Sequence, residues 1–311
     1  MSKNSTKIDR KFDGIVIGGG PAGMSAAMWF ADLGMSVCII EKEAELGGLM
    51  LSIFAPVTNY PGVRTENGRE MRDLFAAQLS QDIEIKFSAD VRSINTDENF
   101  VECSDENIGF GALIYAAGVR RRMLPAVKDF TGSGVLISGS GEKRTVEGQR
   151  VVIVGGGDAA LENAMILGEY AKTVIVVHRG GEFSARTKFV EKAASLPNVT
   201  FLMRHEIVRL NGSAKLGSVT AKSRVDNAEK IIETDRILVR IGTEPNSELL
   251  QGIVELDAAG FIKTDITGAT NIKNIYAAGD VANPTSPTII SSAGTAAAAA
   301  KAIFSSSKKH R

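Results

Sequence analysis

The run Asp13–Gly23, DGIVIGGGPAG, constrains the fold more than any other stretch of the chain. Ile15-Val16-Ile17 reads as a buried parallel strand, and Gly18, Gly20 and Gly23 follow it as G-x-G-x-x-G. A helix is expected from Pro21 to about Leu33. Gly18 permits a tight turn, Gly20 lets the backbone approach a pyrophosphate, and Gly23 lets helix and strand pack closely. Exposed N–H groups and the dipole at the helix start, around Pro21 and Ala22, can then hold phosphates. Glu41 ends the next apolar strand, Val37–Ile40, about 20 residues on, where a carboxylate accepts hydrogen bonds from an adenosine ribose. An acid there disfavours a 2′-phosphate, so FAD or NAD fits this loop better than NADP.

The motif recurs. Val151–Val154 runs into Gly155-Gly156-Gly157-Asp158-Ala159-Ala160, with Ala160 in the third glycine position and a helix expected from near Leu161. Two nucleotides are therefore expected, one per repeat. The strand after this helix, Thr173–Val177, ends in His178-Arg179 rather than an acid, and a cation there is what a 2′-phosphate requires. NADPH is favoured over NADH for the second site. The expected fold class is α/β, with two Rossmann-like three-layer dinucleotide-binding domains, the second inserted into the first. Residues 1–118 and 246–311 would form the first domain and residues 119–245 the second.

Between the motifs, Gly47-Gly48 and Asn59-Tyr60-Pro61-Gly62 suggest a second close backbone approach to the first ligand, before a helix from about Gly68. The strand Ala112–Ala117 ends at Gly118, after which Thr131–Arg150, rich in Gly and Ser with few large apolar residues, reads as a crossover linker. Arg120, Arg121 and Arg122 beside it could attract an acidic carrier. Strands near Thr200–Leu202, Ile207–Asn211, Val219–Ser223 and Arg236–Ile241 complete the second domain before Gly242. Near the C-terminus, Asn274–Ala278 is a strand ending in Gly279-Asp280, an acid suited to a ribityl or ribose hydroxyl. A helix from about Thr288 to Phe304 would place the N–H groups of Thr288, Ile289 and Ile290 beside the N1–C2=O edge of a reduced flavin. The last residues, SSSKKHR, read as a frayed tail.

Lys+Arg and Asp+Glu are 36 each, so no global charge calls for nucleic acid or an acidic membrane surface. The polar N-terminus lacks a signal-peptide core and no apolar run approaches the roughly 20 residues of a membrane span, so a cytoplasmic location is expected. Cys38 and Cys103 are the two cysteines, far apart and outside any C-x-x-C, which argues against a disulfide framework or a structural zinc. No metal ligands stand out.

From Phe12 to Phe304 the ordered set GGGPAG, E-x-x-x-x-x-GG, NYPG, YAAG, VVIVGGGDAALE, VVHR, VRIG-x-x-PN and IYAAGD resembles the low-molecular-weight thioredoxin reductases and their flavoprotein relatives. The resemblance implies FAD in a discontinuous first domain, a nicotinamide nucleotide in the inserted one, and a homodimer in which domain rotation alternates access to the flavin. On that reading Lys42, Leu49, Asn59 and Ala117 join Gly18, Gly20, Pro21, Ala22, Gly23, Glu41, Gly47, Gly48, Gly118, Gly279, Asp280, Thr288, Ile289 and Ile290 around FAD. Gly155, Gly157, Asp158, Ala159, His178, Arg179, Ile241 and Gly242 would surround NADPH. Ser138-Gly139-Ser140-Gly141 stands where thioredoxin-reducing members carry C-x-x-C, and Ala22 stands where relatives that reduce low-molecular-weight disulfides carry cysteine. The family's H-R-R with a further arginine is reduced here to His178-Arg179-Gly180-Gly181, with Arg186 and Lys188 nearby. Pro287-Thr288 replaces the family's Arg-Gln against the flavin.

The reading that follows is hydride transfer from NADPH to FAD and on to a small molecule or a ferredoxin- or flavodoxin-type carrier, without a protein dithiol. No acid–base residue is nominated, because the flavin carries the chemistry. Two alternatives stay open: a second flavin or adenine nucleotide in the second site, and a flavin-binding redox sensor without turnover.

Overall fold

A computed structural model describes residues 7–104 and 106–308. The chain divides into two compact units, Met1–Arg120 with Glu244–Arg311, and Arg121–Thr243. The crossings thus fall at 120/121 and 243/244, against 118/119 and 245/246 in the sequence reading.

The first unit is built on a seven-stranded sheet. Arg10–Ile17 lies parallel to Val37–Ile40 on one side and to Glu106–Tyr115 on the other. Glu84–Lys86 extends the sheet in parallel beyond Val37–Ile40, and Ile275–Ala277, from the far end of the chain, pairs in parallel with Glu106–Tyr115. Phe100–Cys103 and Val91–Asn95 add an antiparallel meander at the other edge. Val16, Ile39 and Ile114 pack under helices α1 (Pro21–Asp32), α2 (Gly68–Ala76) and, from the chain's end, a long helix Ile289–Lys308. Their neighbours Ile15, Cys38 and Leu113 face the opposite core with Leu250, Ile262 and Val281. Apolar side chains on both faces are what a covered parallel sheet requires.

The second unit has a five-stranded parallel sheet in the order Val199–Met203, Thr173–His178, Arg150–Gly155, Arg236–Arg240, Val135–Leu136. Val151, Ile153, Val174 and Val176 pack under α3 (Asp158–Gly168) and α4 (Thr187–Ala194). Val152, Val154, Val177 and Val239 pack instead against an antiparallel three-stranded layer, His205–Gly212, Leu216–Ser223 and Glu229–Glu233. Each unit therefore has three layers around a mainly or wholly parallel sheet.

Four local expectations are corrected. The helix α3 starts at Asp158 rather than Leu161, because Ala160 and Leu161 N–H groups already bond to Gly157 O. Thr131–Arg150 is not a linker: it supplies the edge strand Val135–Leu136 and buries Val135, Leu136 and Val146, while Ile137 stays exposed. The polar strand Glu229–Glu233 was hidden because only Ile232 of its five residues is buried. The C-terminal helix, α5 (Ile289–Lys308), continues past Phe304, its serines returning hydroxyl hydrogen bonds to Lys301, Ala302 and Phe304 carbonyls. The remainder of the tail and the first six residues lie outside the described residues.

Candidate nucleotide sites at two glycine loops

In the first loop the glycines have separable causes. Gly18 sits at φ +101°, and a Cβ there would meet Ala116 O at 2.5 Å. A Cβ on Gly23 would fall 1.8 Å from Gly18 O. Both are demanded by packing and backbone conformation. Gly20 is different, since a Cβ there would meet nothing within 4 Å. Its bareness serves no internal packing and leaves the start of α1 open, as the approach of a pyrophosphate requires.

Neighbouring elements close around this opening. Gly47 N–H donates to Gly19 O at 2.9 Å, and a Cβ on Gly48 would lie 3.4 Å from Gly20 Cα. The Glu41 carboxylate is buried; its Oε2 accepts Gly19 N–H at 2.6 Å and its Oε1 accepts Glu43 N–H at 2.8 Å. A carboxylate has about four acceptor sites, so capacity remains for ribose hydroxyls. Ala278 N–H bonds to Tyr115 O, which brings Gly279 beside α1: a Cβ on Gly279 would lie 2.8 Å from Ala22 Cβ. Gly279 N–H is held by Thr295 Oγ1 at 3.0 Å, and Asp280 Oδ1 accepts Ser292 Oγ–H at 3.0 Å. Burial pushes the Asp280 carboxyl pKa up, and the Ser292 hydroxyl partly offsets it.

At the start of α5 the Thr288 hydroxyl accepts Ser291 N–H at 3.2 Å, and the first in-helix bond runs from Ser292 N–H to Thr288 O. The N–H groups of Ile289 and Ile290 precede that bond and remain directed out of the helix end. Ala117 and Gly118 follow the central strand, with Gly118 at φ +63° and open space at its Cβ position. Lys42, Leu49 and Asn59 are exposed; Lys42 pairs with Glu43 at 3.9 Å, and among the described residues none of the three hydrogen-bonds to the loop through its side chain. Ser292 and Thr295 were missed in the sequence, although their polarity on the buried side of an alanine-rich helix was a usable signal.

The second loop repeats the first, then departs from it. Gly155, at φ +148°, would place a Cβ 2.1 Å from Arg240 O, whereas a Cβ on Gly157 would meet nothing nearer than Ser184 Oγ at 3.7 Å. The loop's middle is covered by its own chain. The His178 ring lies over Gly156, with its Nε2 2.9 Å from Glu182 O and Phe183 packed 5.4 Å away. Ser184 and Ala185 N–H groups both bond to Gly156 O. Asp158, which opens α3 between Gly157 and Ala159, takes both the backbone N–H and the Nε–H of Arg186 at 2.7 Å each. Arg186 is thereby committed to the protein, its guanidinium also resting on Phe189. Arg179 is exposed, and among the described residues it has no ion-pair partner. Ile241 and Gly242, the latter at φ +97°, follow the adjoining strand Arg236–Arg240. Arg120 is not available to attract a carrier, because Glu244 and Glu248 neutralise it and Asn246 accepts from it at 2.9 Å.

Paired glycine loops, one followed by an acid and the other by a cation, on two three-layer units define a flavoprotein that binds two dinucleotides. The family model for pyridine nucleotide-disulphide oxidoreductases matches residues 12–300, and the chain belongs to that family as a low-molecular-weight thioredoxin reductase-like flavoprotein. It is 34% identical over 298 residues to a thioredoxin reductase of Mycolicibacterium smegmatis, covering 92% of this chain and 94% of that one. Among solved structures it is similar to T. acidophilum thioredoxin reductase, with TM-score 0.85, 29% identity and 96% and 100% of the two chains covered. The Lactococcus lactis thioredoxin reductase gives TM-score 0.86 at 26% identity over 94% of this chain and 98% of that one. This family uses FAD and NADPH. No helix among the described residues is long and apolar enough to cross a membrane.

Proposed function

We propose that the chain is an FAD-dependent NADPH oxidoreductase that passes electrons from the flavin to a small molecule or small redox protein without a dithiol of its own, as a cytoplasmic homodimer. The observation that carries this reading is the loop Ser138-Gly139-Ser140-Gly141. Glu142 Oε2 accepts the Ile137 and Ser138 N–H groups at 2.7 Å each, and Gly141 N–H donates to Ser138 Oγ at 3.1 Å. A Cβ on Gly139 would lie 1.8 Å from Asn163 Oδ1. The segment is thus packed and hydrogen-bonded in a form that depends on its own residues, with no thiol in it. The two cysteines are buried in the other unit, and burial pushes the Cys38 thiol up to about 12. Neither supplies the thiolate that disulfide exchange needs.

Bound FAD supplies hydride acceptance and onward electron transfer. Gly18 to Gly23 would hold its pyrophosphate, Glu41 its ribose, and Asp280 a ribityl hydroxyl. The N–H groups of Ile289 and Ile290 would stabilise negative charge at the ring edge. Gly155 and Gly157 would hold the second pyrophosphate, with Arg179 on the 2′-phosphate. The specific observation favouring a different nucleotide there is that Arg186 is bound to Asp158 and Gly180 replaces an arginine, leaving Arg179 to act alone. An acceptor panel separates the readings. NADPH oxidation should proceed with artificial one-electron acceptors and fail with oxidised thioredoxin alone; thioredoxin reduction at a comparable rate would contradict the proposal.

A further inference from the structure

Arg121 and Arg240 come from opposite ends of the second unit and converge on one atom. Arg121 Nη1 donates to Ile137 O at 2.5 Å, and Arg240 Nη2 donates to the same oxygen at 3.0 Å. Arg240 Nη1 makes one further bond, to Val239 O at 2.8 Å. Two guanidinium groups are thus held side by side, both half-buried, and among the described residues neither has an ion-pair partner within 4 Å. The acid nearest in sequence to the shared carbonyl, Glu142, is occupied by the Ile137 and Ser138 N–H groups. Burial lowers the Arg121 pKa; burial and then the charge of Arg121 lower that of Arg240 to about 10, against a smaller upward pull from Glu142. Half-buried cations that bond directly to no carboxylate are costly, and most of their N–H donors are unspent.

The location points to a ligand rather than to stabilisation. Arg240 pairs with Gly155, and Val135–Leu136 pairs with Ile237–Leu238, so Ile137 and Arg240 both lie at the carboxyl edge of the parallel sheet, beside the second glycine loop. That edge is where open α/β sheets bind their ligands. Ile137 is 65% exposed, so the approach is open to solvent. Planar guanidinium forks match carboxylate and phosphate geometry, each bond being charge-assisted.

We propose that Arg121 and Arg240 form a binding site for an oxyanionic group, a carboxylate or a phosphate. It is distinct from the pyrophosphate cradle of the glycine loop, which uses backbone N–H groups.

The test uses the FAD-loaded protein with saturating NADP+, so that the second glycine loop is filled. Its thermal midpoint is followed while inorganic phosphate, and separately malonate, is added. A saturable rise is expected with at least one anion, and the better ligand tells phosphate from carboxylate. Arg121→Met and Arg240→Met should each raise the half-saturating concentration about tenfold, and Arg240→Lys less. No rise with either anion, an unchanged titration in both methionine variants, or loss of the rise on adding NADP+ would overturn the site. Absence of flavin reduction by NADPH would sink the proposed function while the anion titration still decides the site.

Discussion

The buried carboxylate of Glu41 accepts the backbone N–H of Gly19 at 2.6 Å, inside the first glycine loop. One side chain therefore shapes the glycine loop and, in the function proposed, would also receive the ribose. Glu41→Gln keeps the volume but removes two charge-assisted bonds, each worth roughly 1.5–3 kcal/mol. FAD should dissociate about 10- to 100-fold more readily, measured by the fluorescence of released flavin, and the apoprotein should also lose thermal stability.

The glycines of that loop should separate by mechanism. Gly23→Ala places a methyl 1.8 Å from Gly18 O and should prevent accumulation of folded protein. Gly20→Ala meets no protein atom within 4 Å, so the apoprotein should keep its circular dichroism and thermal midpoint while FAD binding weakens at least about tenfold. Equal stability loss in both variants would mean that Gly20 is structural.

At the second loop, Arg179 and Arg186 should behave differently. Arg179→Gln removes an exposed cation at a strand end and should raise the half-saturating NADPH concentration about tenfold with little effect on NADH. Arg186→Gln breaks the ion pair to Asp158 and loosens the turn over Gly156, so both nucleotides should weaken alike. Steady-state kinetics with each nucleotide distinguishes the two patterns.

Much of this was legible in the sequence because glycine positions report backbone conformation directly. Gly18, Gly23 and Gly155 are required by close contacts that any strand–turn–helix of this kind imposes, so the fold class and both loops could be read from one chain. The illegible parts depend on long-range partners. Nothing local marks Asp158 as the partner of Arg186, a residue 28 positions later. His178 read as a nucleotide ligand, yet it lies on Gly156 because Gly156 and Gly180 both leave room for its ring. Arg121 resembled its neighbours Arg120 and Arg122, and only the fold sends it to Ile137 O while Arg120 goes to Glu244 and Glu248. Arg240 offered a clue, being a half-buried charge that closes the apolar run Ile237–Val239.

The buried thiols set an alkaline limit. Burial raises Cys38 from 9.0 to about 12 and also raises Cys103 and Tyr115. A raised folded-state pKa gives stability that is complete below the unfolded value and lost as pH climbs through the folded one. Denaturant midpoints should therefore hold up to about pH 9 and decline between there and pH 12. Iodoacetamide should modify neither cysteine at neutral pH until the protein is unfolded.

Anaerobic mixing of the FAD-loaded protein with NADPH, followed by the flavin absorbance in a stopped-flow instrument, tests the central claim most directly. Rapid bleaching without prior reduction of any disulfide, and with two electrons taken up per flavin, is the expected result. An unreduced flavin at millimolar NADPH and NADH, or uptake of four electrons per chain, would contradict it.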